Sequence, residues 1–287
     1  MSDAYATDYT PEQLARTRQT LLQVLVALGD FHDDVVLVGG LVPSLLIDQA
    51  EAATRDDAHV GSVDVDLGIR LAVVDEDRYD ELAERLRGRG FEPDTNERGN
   101  PTKQRWRYAR AEGSVVVDFL VDETETDGHD WGRTLHLTRD LAALRALGLR
   151  LAFDDAEARE VSGATLDGDA ATRPVRVCGP AAFVVLKATA FRNRGSEKDA
   201  YDLVYVVRNW PGGPEAVAER WAALGDHPAL AVALAVLQAD FLSESGLGPR
   251  GASRFRFGTV DDAYVADAVA DLRLFVETGM QPMAGER

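Results

Sequence analysis

Residues 61–69 read GSVDVDLGI, a run in which Asp64 and Asp66 alternate with Val63, Val65 and Leu67. A side-chain period of two is that of a β-strand. A strand over 63–70 therefore directs the two carboxylates to one face and Val63, Val65 and Leu67 into the core. Like charges aimed together are unfavourable unless a cation or a shared proton compensates them. Mg²⁺, which takes one or two carboxylates together with waters and phosphate oxygens, is the usual resolution. The other reading is the solvated outer face of an edge strand.

Upstream, Thr10, Pro11 and Gln13 form an N-terminal capping pattern for a helix over 11–29, whose apolar face is Leu14, Leu21, Val24, Leu25 and Leu28. The run Val35–Val38 reads as a buried strand, followed by Gly39-Gly40 and an apolar helix over 41–50. Glycines ahead of a helix N-terminus let backbone amides approach a phosphate, with Ser44 one turn further on. The same layout also occurs in α/β proteins generally. GGLVPS is neither a Walker A loop nor a dinucleotide-binding fingerprint.

Downstream, a charged amphipathic helix is expected over 76–89. KQRWRYAR (103–110) and VVVDFLV (115–121) then read as a hairpin turning at 111–114. Asp118 lies among apolar residues, so its charge needs a partner, unless it ends the strand on the solvent face. If this strand pairs beside the one bearing Asp64 and Asp66, three carboxylates converge. Three carboxylates suit two metal ions about 3.5–4 Å apart for in-line phosphoryl transfer. Trp106 and Tyr108 alternate with Lys103, Arg105 and Arg107, giving either a basic face for triphosphate or RNA or a plain amphipathic strand.

Between 122 and 178 the strand-like pieces LRLAF, REVSG and PVRVC are short. Beyond Gly179-Pro180 the pattern is helical, over 181–194, 197–209, 214–224, 228–243 and 261–278. The expected architecture is α/β (α+β): a small mixed-sheet domain over 1–178, then an all-helical domain over 179–287. Lys187 sits inside the apolar run FVVLKATAF, and Lys198, Asp199 and Asp202 open the following helix. Complementarity to helix ends explains Arg192, Arg194 and Asp199 but not Lys187. An ammonium in such a run snorkels or meets an anion, and triphosphate oxygens are the obvious anion.

The 287 residues carry 49 acidic and 31 basic side chains, a net charge of −18, which disfavours a general nucleic-acid binder. Locally the balance reverses, to +5 over 85–110 and +3 over 187–198. Three of the basic residues are lysine (Lys103, Lys187, Lys198) and the rest arginine. The lone Cys178 excludes an internal disulfide and a cysteine-cluster zinc site, and the five histidines show no metal-ligand spacing. No apolar run reaches the length of a spanning helix and no signal-peptide layout is present, so a cytoplasmic, non-membrane protein is expected.

As an ordered set, Gly39-Gly40 after a first strand, Gly61-Ser62 with Asp64-x-Asp66 on the next, and Asp118 on a later one resemble the polymerase-β-type nucleotidyltransferases. Lys187 with Lys198-Asp199-x-x-Asp202 narrows the resemblance to the AbiEii abortive-infection toxin family, over roughly residues 20–210. The resemblance implies a transferase that moves a nucleoside monophosphate from an NTP to an acceptor, releasing pyrophosphate. It implies nucleotide handling by Gly39, Gly40, Ser62, Lys187 and Lys198, and binding of Mg²⁺ (or Mn²⁺) by Asp64 and Asp66. Asp118 is a further candidate metal ligand, and Asp118 or Asp199 a supporting acid. It further implies a tRNA acceptor and a cognate antitoxin; a small-molecule (antibiotic) acceptor, a protein side chain, or an inactive nucleotide-binding module are the alternatives. Two departures stand out. The first motif reads Gly-Gly where the family has Gly-Ser, so Ser44 or Ser62 is the candidate replacement, and the longer spacing from Gly40 to Asp64 requires residues 48–60 to loop out.

Overall fold

The computed structural model describes residues 5–55, 57–70, 76–109, 115–122, 133–138 and 140–280. In chain order the elements are α1 (Pro11–Leu28), β1 (Val35–Val38), α2 (Pro43–Leu46), α3 (Gln49–Thr54), β2 (Asp64–Ile69), α4 (Glu76–Gly88), β3 (Phe91–Thr95), β4 (Pro101–Tyr108) and β5 (Val116–Asp122). Then follow β6 (Thr134–His136), β7 (Ala142–Ala146), α5 (Leu149–Asp154), β8 (Glu157–Ala164) and β9 (Ala170–Val177). The last six helices are α6 (Pro180–Arg194), α7 (Glu197–Asn209), α8 (Gly213–Ala222), α9 (Pro228–Asp240), α10 (Leu247–Phe257) and α11 (Asp262–Gly279). The result is a mixed α/β protein with a helical C-terminal region. No helix among the described residues is long and apolar enough to cross a membrane.

The chain forms two compact units. A sheet unit takes residues 10–42 and 61–178, and a helical unit takes 1–9, 43–60 and 179–287. In the sheet unit the strand order is β3-β4-β5-β2-β1-β9-β8, with β7 joining β5 and β6 joining β7. β1 is buried along its whole length, as its unbroken apolar run requires, between antiparallel β2 and parallel β9. The expected hairpin is present as the antiparallel pair β4–β5, while its turn at 111–114 lies outside the described residues. α1 begins with the anticipated capping box. Thr10 Oγ1 accepts from the Gln13 amide, and the Thr10 amide donates to Gln13 Oε1 at 2.8 Å.

Three local expectations give way. LRLAF forms a helix, α5: its alternation imitates a strand, but Leu149, Leu151, Ala152 and Phe153 are all buried, and the Arg150 amide is capped by Asp122 Oδ2 at 2.6 Å. Val63 lies ahead of β2 in the bend and is 40% exposed instead of in the core. The helix expected over 41–50 is broken into a 3₁₀ turn at Gly39–Leu41 and the short α2 and α3, because Asp48 caps α3 by accepting from the amides of Ala50 and Glu51. No extended helix dipole therefore stands behind the Gly-Gly turn.

In the helical unit the core is aromatic, with Phe183, Tyr201, Tyr205, Phe241, Phe255 and Phe275 buried. Residues 43–60 do not loop out. They pack in this unit through Gln49, whose Oε1 accepts from the His59 amide at 2.8 Å and from Tyr205 Oη at 3.3 Å.

Candidate active site

β2 and β5 run parallel, with Asp66 directly opposite Asp118 and Asp64 opposite Val116. Residues paired across strands share a face, so Asp64, Asp66 and Asp118 all lie on one side of the sheet. Ser62 is buried and its Oγ donates to Asp64 Oδ1 in a short hydrogen bond, which orients that carboxylate. Gly39 follows β1 at φ +74°, and a Cβ there would overlap the Asp66 carboxylate, 1.9 Å from Oδ2. Only glycine lets the turn lie this close to the acid. Ser44 is part of α2 in the helical unit.

Asp118 is engaged from its other side. Arg105 on β4 is its direct cross-strand partner. The guanidinium grips both carboxylate oxygens, Nε to Oδ1 at 2.8 Å and Nη2 to Oδ2 at 2.7 Å. That hydrogen bonding, against an opposing contribution from burial, raises the Arg105 pKa further above its already high value; Asp64 adds to the pull. Among the described residues no group of three or more His, Cys, Asp or Glu side chains is arranged to hold a metal ion. The donors that suit a hard divalent cation are the oxygens of Asp64 and Asp66.

The helical unit holds a second cluster. Lys187 is buried on α6, and its Nζ donates to Asp199 Oδ1 at 2.9 Å and Asp202 Oδ2 at 2.7 Å on α7. Arg194 grips Asp199 through Nε and Nη2, at 2.6 and 2.7 Å. Asp202 also accepts from Lys198 Nζ at 3.0 Å and pairs with His59 Nε2 at 2.9 Å.

A family model described as Nucleotidyltransferase matches residues 16–206, about two thirds of the chain. The chain belongs to this nucleotidyltransferase family. No curated protein matches it. The matched span includes all the strands and runs through α6 into α7, so it takes in both clusters.

The electrostatics of this nucleotidyltransferase's buried cluster follow from its pairing. Burial opposes ionisation of Asp202 and Asp199, but the Lys187 ammonium, with Lys198 beside the first and Arg194 beside the second, outweighs it and holds both carboxyls below the ordinary range. Burial also disfavours charge on Lys187, and Asp199 and Asp202 reverse that and raise its pKa. Burial lowers the His59 pKa, with the hydrogen bond to Asp202 pulling the other way. Three cations, Lys187, Lys198 and Arg194, thus hold the two buried carboxylates.

Arg105, which grips Asp118 in the sheet unit, and His59, which pairs with Asp202 in the helical unit, are the partners that the sequence does not announce. Arg105 appears there as one basic residue of an amphipathic strand, and His59 as a histidine with no metal-ligand spacing. Four of the eight basic residues behind the local +5 over 85–110 are paired with acids in the folded chain. Arg85 pairs with Asp30 and Glu81, Arg87 with Asp140, Arg105 with Asp118, and Arg107 with Glu92 and Asp94. Trp106 and Tyr108 are buried. The strand is amphipathic, with Trp106 and Tyr108 inward and the half-exposed Arg105 and Arg107 on its outer face, each held by an acid.

Proposed function

We propose that the protein is a Mg²⁺-dependent nucleotidyltransferase that moves a nucleoside monophosphate from an NTP to an acceptor and releases pyrophosphate. The observation that carries this reading is the placement of Asp64 and Asp66 on one sheet face, with the Gly39 turn against Asp66 and Ser62 on Asp64. Asp64 and Asp66 would hold the ion, which when bound neutralises charge on the triphosphate and the departing pyrophosphate. The Gly39-Gly40 turn brings backbone within reach of phosphate oxygens. By the resemblance, Lys187 and the partly exposed Lys198 are the side chains of the helical unit that would handle the nucleotide. The resemblance implies a supporting acid in Asp118, held by Arg105, or Asp199, held by Lys187 and Arg194.

The acceptor we favour is tRNA, in the role of a growth-inhibiting toxin of the AbiEii type with a cognate antitoxin, acting in the cytoplasm. Pyrophosphate release from each NTP, compared between wild type and Asp64→Ala plus Asp66→Ala, tests the chemistry: release must fall by about 10³-fold or more in the double variant. Activity unchanged in that variant overturns the reading. Radiolabelled NTPs offered with total tRNA, a cell lysate and an antibiotic panel test the acceptor. Label passing only into protein or drug overturns the tRNA assignment.

A further inference from the structure

We propose that Arg105 serves as a built-in second cation, so that this chain binds one divalent ion, at Asp64 and Asp66, where a three-carboxylate site would take two. The inference rests on the nucleotidyltransferase reading above and sharpens its metal count.

Four observations carry it. Arg105, Asp118 and Asp66 occupy directly paired positions on β4, β5 and β2, so backbone register alone sets them in a row on one sheet face. The Arg105 contact is a two-point fork that engages both Asp118 oxygens at 2.7–2.8 Å, the geometry in which guanidinium and carboxylate match best. The Asp118 side chain is 7% exposed while that of Arg105 is 44% exposed, so the cation covers the acid from the solvent side. Finally, the pair sets a guanidinium charge on the third acid of the row, so before any nucleotide arrives a second divalent ion would meet a cation at Asp118 and would have to displace a charge-assisted pair. Arg105 Nη1 makes no hydrogen bond among the described residues, and so remains as the donor for an anionic oxygen of the substrate.

The test uses the full chain and Mn²⁺ alone, with bound ion counted by the loss of the free-Mn²⁺ electron paramagnetic resonance signal and checked by calorimetry. Wild type takes up one equivalent, and Asp118→Asn still takes one with its Kd within about threefold. Arg105→Met, which releases Asp118, gains a second equivalent. Combining Arg105→Met with Asp118→Asn returns the count to one. Circular dichroism establishes that each variant is folded. If Arg105→Met is not, Asp118→Asn alone decides, because a tenfold or greater loss of affinity there makes Asp118 a ligand and overturns the proposal. Two equivalents in wild type, or one in folded Arg105→Met, also overturn it while leaving the nucleotidyltransferase reading standing. No uptake by wild type removes the metal assignment of Asp64 and Asp66 and the inference with it.

Discussion

Replacing Lys187 with methionine keeps the length of the side chain and removes the cation that bridges Asp199 and Asp202, each 1% exposed or less, leaving Asp199 to Arg194 and Asp202 to Lys198 and His59. Removing one partner of a buried ion pair costs about 3–5 kcal/mol when nothing else compensates the acid, so the lower end of that range applies here. The expected outcome for Lys187→Met is a melting temperature lower by roughly 6 °C or more, on the usual scaling for a chain of this size. A shift under a degree would mean that the network contributes little to stability. The same cluster sets an acid limit. Asp199 and Asp202 have folded pKa values below their unfolded ones, so their stabilisation is present above about pH 4 and is lost as pH falls further. His59 is depressed as well, which adds a loss that begins below about pH 6.5. Lys187 is raised, so its contribution holds below about pH 10.5 and is lost above it. Melting temperature against pH should thus be level from about 6.5 to about 8.5 and fall above that, first because burial keeps the Cys178 thiol protonated only in the folded state and then because burial does the same for the Tyr201, Tyr205 and Tyr264 phenols. In His59→Gln the decline that starts near 6.5 should vanish while the lower one remains.

At the scale of elements, α10 shows how packing overrides propensity. Its sequence, LGPRGASRFRF, has two glycines and a proline in its first five residues and gives no helical signal. Pro249 falls in the first turn, where its missing amide is not needed. Gly248 is there for contact: a Cβ would lie 2.4 Å from the Phe241 ring. Gly248→Ala should therefore destabilise by about 1–3 kcal/mol despite alanine's better helix propensity, as overpacking in cores does. Thermal or denaturant unfolding checks this, and a stabilised variant would refute the packing account. The elements that are legible from sequence are those with strong local codes: α1 through its cap and apolar stripe, β1 through its unbroken run, and β4–β5 through paired runs. Short strands such as β3 and β7 are not, because their partners in the sheet, not their composition, make them strands. The candidate site divides in the same way. Asp64 and Asp66 are visible because two acids alternate with core residues inside nine positions. The Arg105–Asp118 fork depends on strand register, and the His59–Asp202 pair joins residues 143 positions apart, so neither leaves a local trace.

At the scale of the molecule, the chain passes between its two units at 9/10, 42/43, 60/61 and 178/179. A fragment ending at residue 178 would carry α2, α3 and His59 without α7, which supplies Asp202 and Tyr205 to them. Expressed alone, residues 1–178 keep the whole sheet unit but leave residues 43–60 without these partners, so the fragment should be less soluble than the full chain and cleave first within 43–60 under limited proteolysis; a fragment as soluble and as protease-resistant there as the full chain would contradict this. The net charge of −18 belongs to this scale too. It disfavours nucleic acid along the surface at large, while Arg85, Arg87 and Arg105 of the locally basic stretch meet acids from outside it in the folded chain.

Lysine is so rare in this chain that its burial has a practical consequence. Lys187 is 6% exposed, its ammonium held by two carboxylates, and the other two lysines lie on different elements. An amine-reactive reagent applied to the native protein should spare Lys187 until the network opens. The rate at which that one position becomes labelled, read by peptide mass spectrometry, is then a direct clock for opening of the helical core.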